Sequence, residues 1–448
     1  MEQQPTAVAF KRLDKVREVL PIYPSPTPLR LPELPCPQRK PAFDVPFTLS
    51  THIIPAAYIR TTTPVPVPDS LRQDTSKDEK RQGIKHIHKY MENARKISLS
   101  GSEGYPQALW NCVNRYTRNN SNGSGPSTQR ITLFFAHANG FTKEIWEPML
   151  GYLLSSKSSQ IIDEVWTWEA VQHGDAGLLN ADFRSGSFDT TDNSRDIVNF
   201  LCNFLPEKAT TEALPLHLAR VSETKAAERA QRGFMGRTLV VIGHSFGATS
   251  LIHAASLFPK LFTSLVLLDP ILLEPFVQEE IDRTIGLVLG AIGRREEWPS
   301  RPAALKSLFE TAFFRSWDPA VLSVYVDSAL YDTPQGTARL KMSGIQEATI
   351  FLDLQTPTEA FQRAIEIEQQ IHLRFILPGK PGLVSFAGSD KRMWLRTGNS
   401  TNTKIRKAGH LIPQEAPREL AEDLNRYLLE SFNSVNRDLH KAHIRSYL

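Results

Sequence analysis

The apolar run TLVVI reaches Ser245 through Gly243-His244, and the helix-forming run ATSLIHAASLF begins three residues after it. A chain that must pass from buried strand to helix around one residue, with Gly243 and Gly247 on either side, has few folds open to it. The glycines allow close backbone approach and unusual dihedrals, and the serine hydroxyl is left at the carboxyl edge of a sheet. The same rhythm recurs along the chain. RITLFFAHANG (130–140) precedes the helical KEIWEPMLGYLLSS, IIDEVWTWEA precedes SRDIVNFLCNFL, and FTSLVLLDP follows the helix after Ser245. Alternation of this kind predicts an α/β fold with a mostly parallel, doubly wound sheet.

The outer segments read differently. Residues 1–42 carry PIYPSPTPLRLPELPCPQRKP, too rich in proline for helix or sheet, and are expected to form an irregular arm. FTLSTHII (47–54), AAYIRT (56–61) and LWNCVNRYT (109–117) read as strands, with PVPVPDSLRQDTSKDEKRQG an exposed loop. ARVSETKAAERAQRG, within 206–236, reads as an exposed helical insertion. The strand rhythm stops from Ile271 to Pro378, where helical patterns predict a cap, and resumes with GLVSFAG (382–388) and a strand around TKIRKAG. The expected organisation is arm 1–42, core 43–270, helical cap 271–378, core 379–435 and tail 436–448.

Composition narrows the functional classes. Hydrophobic residues at 41% allow a sizeable core, and a net charge of +4 from 52 basic and 48 acidic side chains, without long runs of one sign, offers no track for nucleic acid. No stretch reaches the 18 or so apolar residues of a membrane span, and the first residues lack a signal-peptide core. Cys36, Cys112 and Cys202 are too few and scattered for a disulfide framework or a zinc site, which points to a reducing compartment, and the Asn119, Asn122 and Asn399 sequons are expected to be unused. The final Ser446-Tyr447-Leu448 resembles a peroxisomal tripeptide in which Tyr447 replaces the basic residue, so the expected location is the peroxisome and otherwise the cytoplasm.

Gly243-His244-Ser245-Phe246-Gly247 is the nucleophile elbow of an α/β-hydrolase fold, which makes Ser245 the candidate nucleophile. A serine hydroxyl needs a base, and His410 lies between the last strand and the closing helix PRELAEDLNRYLLESF, where the fold supplies one. His253, His86 and His88 are expected to face solvent. Two acids compete to orient the imidazole: Asp269, at the end of LVLLDP, and Asp390, in FAGSD. The oxyanion donors would be the N–H of Phe246 and the turn His137-Ala138-Asn139-Gly140, with Asn139 its candidate. This chemistry requires no metal and no redox cofactor. The cap aromatics Phe309, Phe313, Phe314, Trp317 and Tyr325 are candidates for an acyl pocket.

Over most of residues 46–433 the chain resembles a fungal family of peroxisomal α/β-hydrolases that includes the acyl-CoA hydrolase of mycophenolic acid biosynthesis and hydrolases of host-selective toxin pathways. The resemblance is carried, in order, by STHIIPAAYIR, HANGFTKEIWEP, SRDIVNFL, GHSFG, LFTSLVLLDP, EWPSR, DPAVL and GHLIPQE. It implies Ser245 as nucleophile, Asp269 rather than Asp390 as acid, His410 as base, and Asn139 and Phe246 as oxyanion donors. It also implies a small-molecule acyl substrate, an acyl-CoA thioester or an ester of a hydrophobic secondary metabolite. An acyltransferase or lyase on the same fold, or a binding protein without catalysis, are the rival readings. The proline-rich arm, the 206–236 insertion and the altered tripeptide depart from the family pattern. Oligomeric state is not legible in the sequence.

Overall fold

The computed structural model describes residues 11–26, 30–71, 75–100, 104–119, 130–381, 392–396 and 398–432. Asp390, the GLVSFAG segment, Asn122 and the terminal tripeptide lie outside the described residues.

Eight strands form the central sheet: β1 (Phe47–Pro55), β2 (Trp110–Arg118), β3 (Ile131–Ala136), β4 (Ile162–Glu169), β5 (Thr238–His244), β6 (Ser264–Leu268), β10 (His372–Pro378) and β11 (Ser400–Ile405). Their order is β1-β2-β4-β3-β5-β6-β10-β11. β1 and β2 enter antiparallel, and every pairing from β4 to β11 is parallel. The inner strands β3, β5 and β6 are apolar over most of their length because both faces are covered. Leu133, Phe135, Val240, Ile242, Val266 and Leu268 point into one core layer, and the residues between them point into the other.

Helices α1 (Lys77–Leu99), α2 (Glu147–Leu154), α3 (Gly174–Leu179), α4 (Thr190–Asn203), α5 (Glu223–Arg232) and α6 (Phe246–Leu257) precede or intervene between the strands up to β6. Met149, Leu150 and Leu153 of α2 fill the first layer, while Ile197 and Phe200 of α4 and Leu251 and Ile252 of α6 fill the second. Each such side chain, fully buried, contributes about 1.5–3 kcal/mol, so the serine's strand and helix are held from both sides.

Between β6 and β10 lie α7 (Gln278–Gly293), α8 (Arg301–Phe309), α9 (Ala312–Arg315), α10 (Pro319–Ala329), α11 (Gly344–Phe351) and α12 (Gln355–Glu366). Three short strands, β7 (Glu297–Trp298), β8 (Leu330–Asp332) and β9 (Ala338–Leu340), pair there as a small antiparallel sheet. Helix α13 (Ile412–Glu415) and the closing helix α14 (Pro417–Phe432) end the described chain.

Four expectations are corrected. Helical structure does not run to Pro378: HLRFILP is β10, whose Leu373 and Phe375 face one layer and Ile376 the other, an alternation obscured by the polar residues around it. AAYIRT is not a strand, since Ala57 N–H and Thr61 N–H donate to the carboxylates of Asp196 and Asp192 on α4 rather than to a neighbouring strand. The end of the supposed loop, from Lys77, is already α1, begun by a capping box between Ser76 and Glu79 and seated on α7 through Ile87 and Met91. The insertion helix α5 is not wholly exposed, because buried Arg229 donates to the carbonyls of Leu201, Cys202 and Leu205 at the end of α4.

The described part of the arm holds no helix and follows the body. Its carbonyls find donors on the body: Arg195 donates to Leu20 O and Pro21 O. Arg17 pairs with Asp189 at 2.7 Å and Glu359 at 2.8 Å. Among the described residues, no helix is long and apolar enough to cross a membrane and no cluster of side chains has a metal-binding arrangement.

Candidate active site

Ser245 sits between β5 and α6 with φ 53° and ψ −115°, a conformation sparsely populated by non-glycine residues. What holds it there is packing. A Cβ on Gly247 would stand 2.3 Å from Ala136 O, and one on Gly243 would stand 2.6 Å from the backbone of Ala248, so only glycine lets β3, the elbow and α6 approach this closely. Ser245 N–H donates to Leu268 O, at 3.0 Å, and Asp269 N–H donates to Ile376 O, at 3.0 Å. These bonds tie the ends of β5, β6 and β10 together.

At those strand ends three side chains meet. His410 Nδ1 lies 2.7 Å from Asp269 Oδ2, and His410 Nε2 lies 3.0 Å from Ser245 Oγ. A carboxylate can only accept, so the Nδ1 proton faces Asp269 and the Nε2 lone pair faces the serine hydroxyl. All three residues are buried. Asp269 also has a positive φ, 35°.

His244 was not singled out by its sequence. Its Nε2–H donates to His410 O at 2.9 Å and so holds the backbone of the imidazole. Burial pushes His244 well below the ordinary imidazole pKa, in keeping with a neutral ring making one backbone bond. Its position between Gly243 and Ser245 carries no residue preference that would have marked it. His253, expected to face solvent, is buried instead, with Nε2 3.0 Å from Thr356 O. It lies on the face of α6 turned toward α12, where an apolar neighbourhood can admit an imidazole only with a partner. His86 and His88 lie on α1.

Asn139 and Phe246 line the same narrow cavity as Ser245, about 40 Å³ in volume. The Asn139 side chain donates from Nδ2 to Glu347 O at 3.0 Å. Phe246 opens α6, whose first N–H groups have no carbonyl in a preceding turn to receive them. Leu273, Leu287, Ile350, Phe351 and Pro357 form the apolar walls. The cap aromatics do not line this cavity. Trp317 and Tyr325 pack with Phe141 and Phe314 in the core, and Phe309 and Phe313 are exposed, because α10 packs on α2, with α8 against α10 and α9 against α8. The cysteines are not competing nucleophiles: burial pushes the Cys202 thiol up to about 12 and raises Cys36 and Cys112 as well.

A strained serine after a parallel strand, with an imidazole and a carboxylate delivered from later strand ends, is the geometry of one fold family, and residues 133–423 match the model of the alpha/beta hydrolase family. The chain belongs to that family. It is 28% identical over 190 residues to the type I acyl-CoA thioesterase mpaH of Penicillium roqueforti, covering 42% of this chain and 37% of that protein. It is 23% identical over 249 residues to the peroxisomal membrane protein LPX1 of Saccharomyces cerevisiae, covering 51% of this chain and 57% of the relative. The chain thus spans about two fifths of the length of the Penicillium relative it matches. Among solved structures, the peroxisomal alpha-beta-hydrolase Lpx1 of S. cerevisiae superposes with a TM-score of 0.61 over 90% of this chain and 98% of its own, at 17% identity, a likeness of fold.

Proposed function

We propose that this alpha/beta hydrolase family member is a serine hydrolase that cleaves an acyl-CoA thioester, or a related ester, of a hydrophobic secondary metabolite. The observation that carries the reading is the unbroken chain Asp269–His410–Ser245, with contacts of 2.7 and 3.0 Å, at an apolar cavity. In the proposed reaction His410 Nε2 takes the Ser245 hydroxyl proton as Oγ attacks the acyl carbon, and Asp269 stabilises the imidazolium. The carbonyl oxygen becomes an oxyanion facing Phe246 N–H and the Asn139 turn. The tetrahedral intermediate then collapses, the acyl–sulfur or acyl–oxygen bond breaks, and the leaving thiol or alcohol takes the proton from His410. Water, deprotonated by the same imidazole, releases the acid and restores Ser245.

The apolar walls of the cavity support an acyl group as the part of the substrate that is enclosed. The experiment is to incubate the purified protein with panels of acyl-CoA and p-nitrophenyl esters and identify the products by mass spectrometry. Free acid and released thiol or phenol are expected. Quantitative transfer of the acyl group to an added alcohol or amine in preference to water would replace the hydrolase with an acyltransferase, and no turnover of either panel would refute both.

Likeness to the yeast peroxisomal hydrolase supports a peroxisomal location for this chain too. An N-terminal fluorescent fusion expressed in a fungus is expected to coincide with a peroxisomal marker. Uniform cytosolic fluorescence would exclude that location.

A further inference from the structure

The Asn139–Gly140 turn is held from below by a residue that no part of the proposed reaction employs. His173 is fully buried, in the loop between β4 and α3. Its Nε2 accepts the Gly140 N–H at 3.2 Å and, as an acceptor, makes no hydrogen bond to Asn139 Oδ1, 3.3 Å away. Its ring stacks on Phe246, with centroids 5.8 Å apart and an interplanar angle of 24°, and lies 4.5 Å from the ring of His137 on the near side of the same turn. His137 is itself fastened, with Nδ1 2.8 Å from Ala138 O and Nε2 receiving Ala170 N–H at 3.3 Å. One imidazole thus contacts the turn after β3 and the residue after Ser245, two elements that belong to different strands.

The cost of this arrangement is visible on the other side of the ring. Nδ1 of His173 is buried without a hydrogen-bond partner among the described residues. Leaving such a group unsatisfied is unfavourable, which a residue serving packing alone would avoid by being phenylalanine or leucine. Burial and the neighbouring His137 hold His173 well below the ordinary imidazole pKa. The Gly140 N–H aimed at Nε2 fits a neutral ring, which can offer that nitrogen as an acceptor. Gly140 completes the fit: its φ is 85°, and a Cβ there would stand 2.8 Å from Glu347 Oε1, so the turn can take up this geometry only with glycine.

We propose that His173 is a positioning residue that holds the Asn139–Gly140 turn and Phe246 in register, so that donors from two separate strands converge on one oxyanion. The inference rests on the roles of Ser245, Asn139 and Phe246 given above. It concerns a residue that touches neither the substrate nor Ser245, His410 and Asp269. Donors displaced by even 1 Å lose much of their advantage in the transition state, at roughly 10²-fold in rate. The ground-state substrate, held by the apolar walls, does not feel the displacement.

Three variants of the full chain test this, with p-nitrophenyl butyrate as substrate and an alkyl trifluoromethyl ketone as the probe of oxyanion binding. His173→Phe keeps a ring and removes the acceptor, His173→Met removes both at similar volume, and His173→Gln returns an acceptor. His173→Phe and His173→Met are expected to lose about 10- to 100-fold in kcat with KM nearly unchanged. Affinity for the ketone should fall by a similar factor, and His173→Gln should recover most of both. A folded His173→Phe or His173→Met with parental kcat and ketone affinity would overturn the inference, as would a loss confined to KM. Should neither variant fold, ¹⁵N NMR of the unaltered protein decides it: a protonless, hydrogen-bonded Nε2 is expected, and a doubly protonated ring at pH 7 would overturn it. If Ser245→Ala is inactive while the His173 series matches the parent, this inference alone fails; if Ser245→Ala turns over normally, the reading beneath it fails first.

Discussion

Ser245→Ala is expected to lower turnover by roughly four to six powers of ten while the protein still folds. The size follows from what the substitution removes. Without Oγ no acyl-enzyme can form, and His410 Nε2, 3.0 Å from that oxygen, loses the group whose proton it is placed to take. What survives is the binding cavity and the oxyanion donors, which alone leave a residual rate above that in water. The fold is spared because the elbow is shaped by its glycines and by Ser245 N–H donating to Leu268 O, neither of which needs the hydroxyl. Steady-state kinetics of the folded variant, with circular dichroism as the check on folding, gives the number. A fluorophosphonate probe should label Ser245 in the parent and nothing in the variant. Turnover within tenfold of the parent, or labelling at another serine, would remove Ser245 from its proposed role.

Asp269→Asn is expected to lower the acylation rate by up to roughly 10⁴-fold, nearly as much as losing the nucleophile. The carboxylate accepts from His410 Nδ1 at 2.7 Å and so leaves the lone pair on Nε2, toward the serine. An amide of the same shape can present its NH₂ to Nδ1 instead, which stabilises the tautomer carrying its proton on Nε2, unable to act as a base. It also withdraws the negative charge that stabilises the imidazolium. Stopped-flow measurement of the acylation burst separates this step from deacylation. Asp390→Asn, at the rival acid, is the control and should change the burst by less than about tenfold. A large loss in Asp390→Asn with a mild one in Asp269→Asn would exchange their roles.

Much of this was legible in the chain because its signals are local. The TLVVI run, the glycines at 243 and 247 and the helix-forming ATSLIHAASLF depend only on residues near in sequence, and strand, elbow and helix lie where those residues predict them. The parallel core followed from the same kind of signal, since strands covered on both faces read as nearly continuous apolar runs. Where the sequence was misread, a local pattern was present but overlaid. The polar surroundings of HLRFILP hid the alternation of β10, and the charged DEKRQG hid a helix whose buried residues, Ile87, Met91 and Ala94, recur at helical spacing.

What the sequence determined by itself is therefore the sheet other than β10, the elbow and the identity of Ser245 and His410 as candidates, because hydrophobic periodicity and turn chemistry act over a few residues. Only the tertiary structure decided which partners meet. His410 stands 141 positions from Asp269 and 165 from Ser245, and their contacts exist because β5, β6 and β10 end at the same edge, joined by Ser245 N–H to Leu268 O and Asp269 N–H to Ile376 O. It decided equally that Trp317 and Tyr325 pack into the core while Phe309 and Phe313 stay exposed, that His253 is buried, and that His244 meets His410 O and His173 meets Gly140 N–H. A histidine's role is set by the donors and acceptors that packing brings within 3 Å or so of its two nitrogens, and nothing in the neighbouring sequence encodes them.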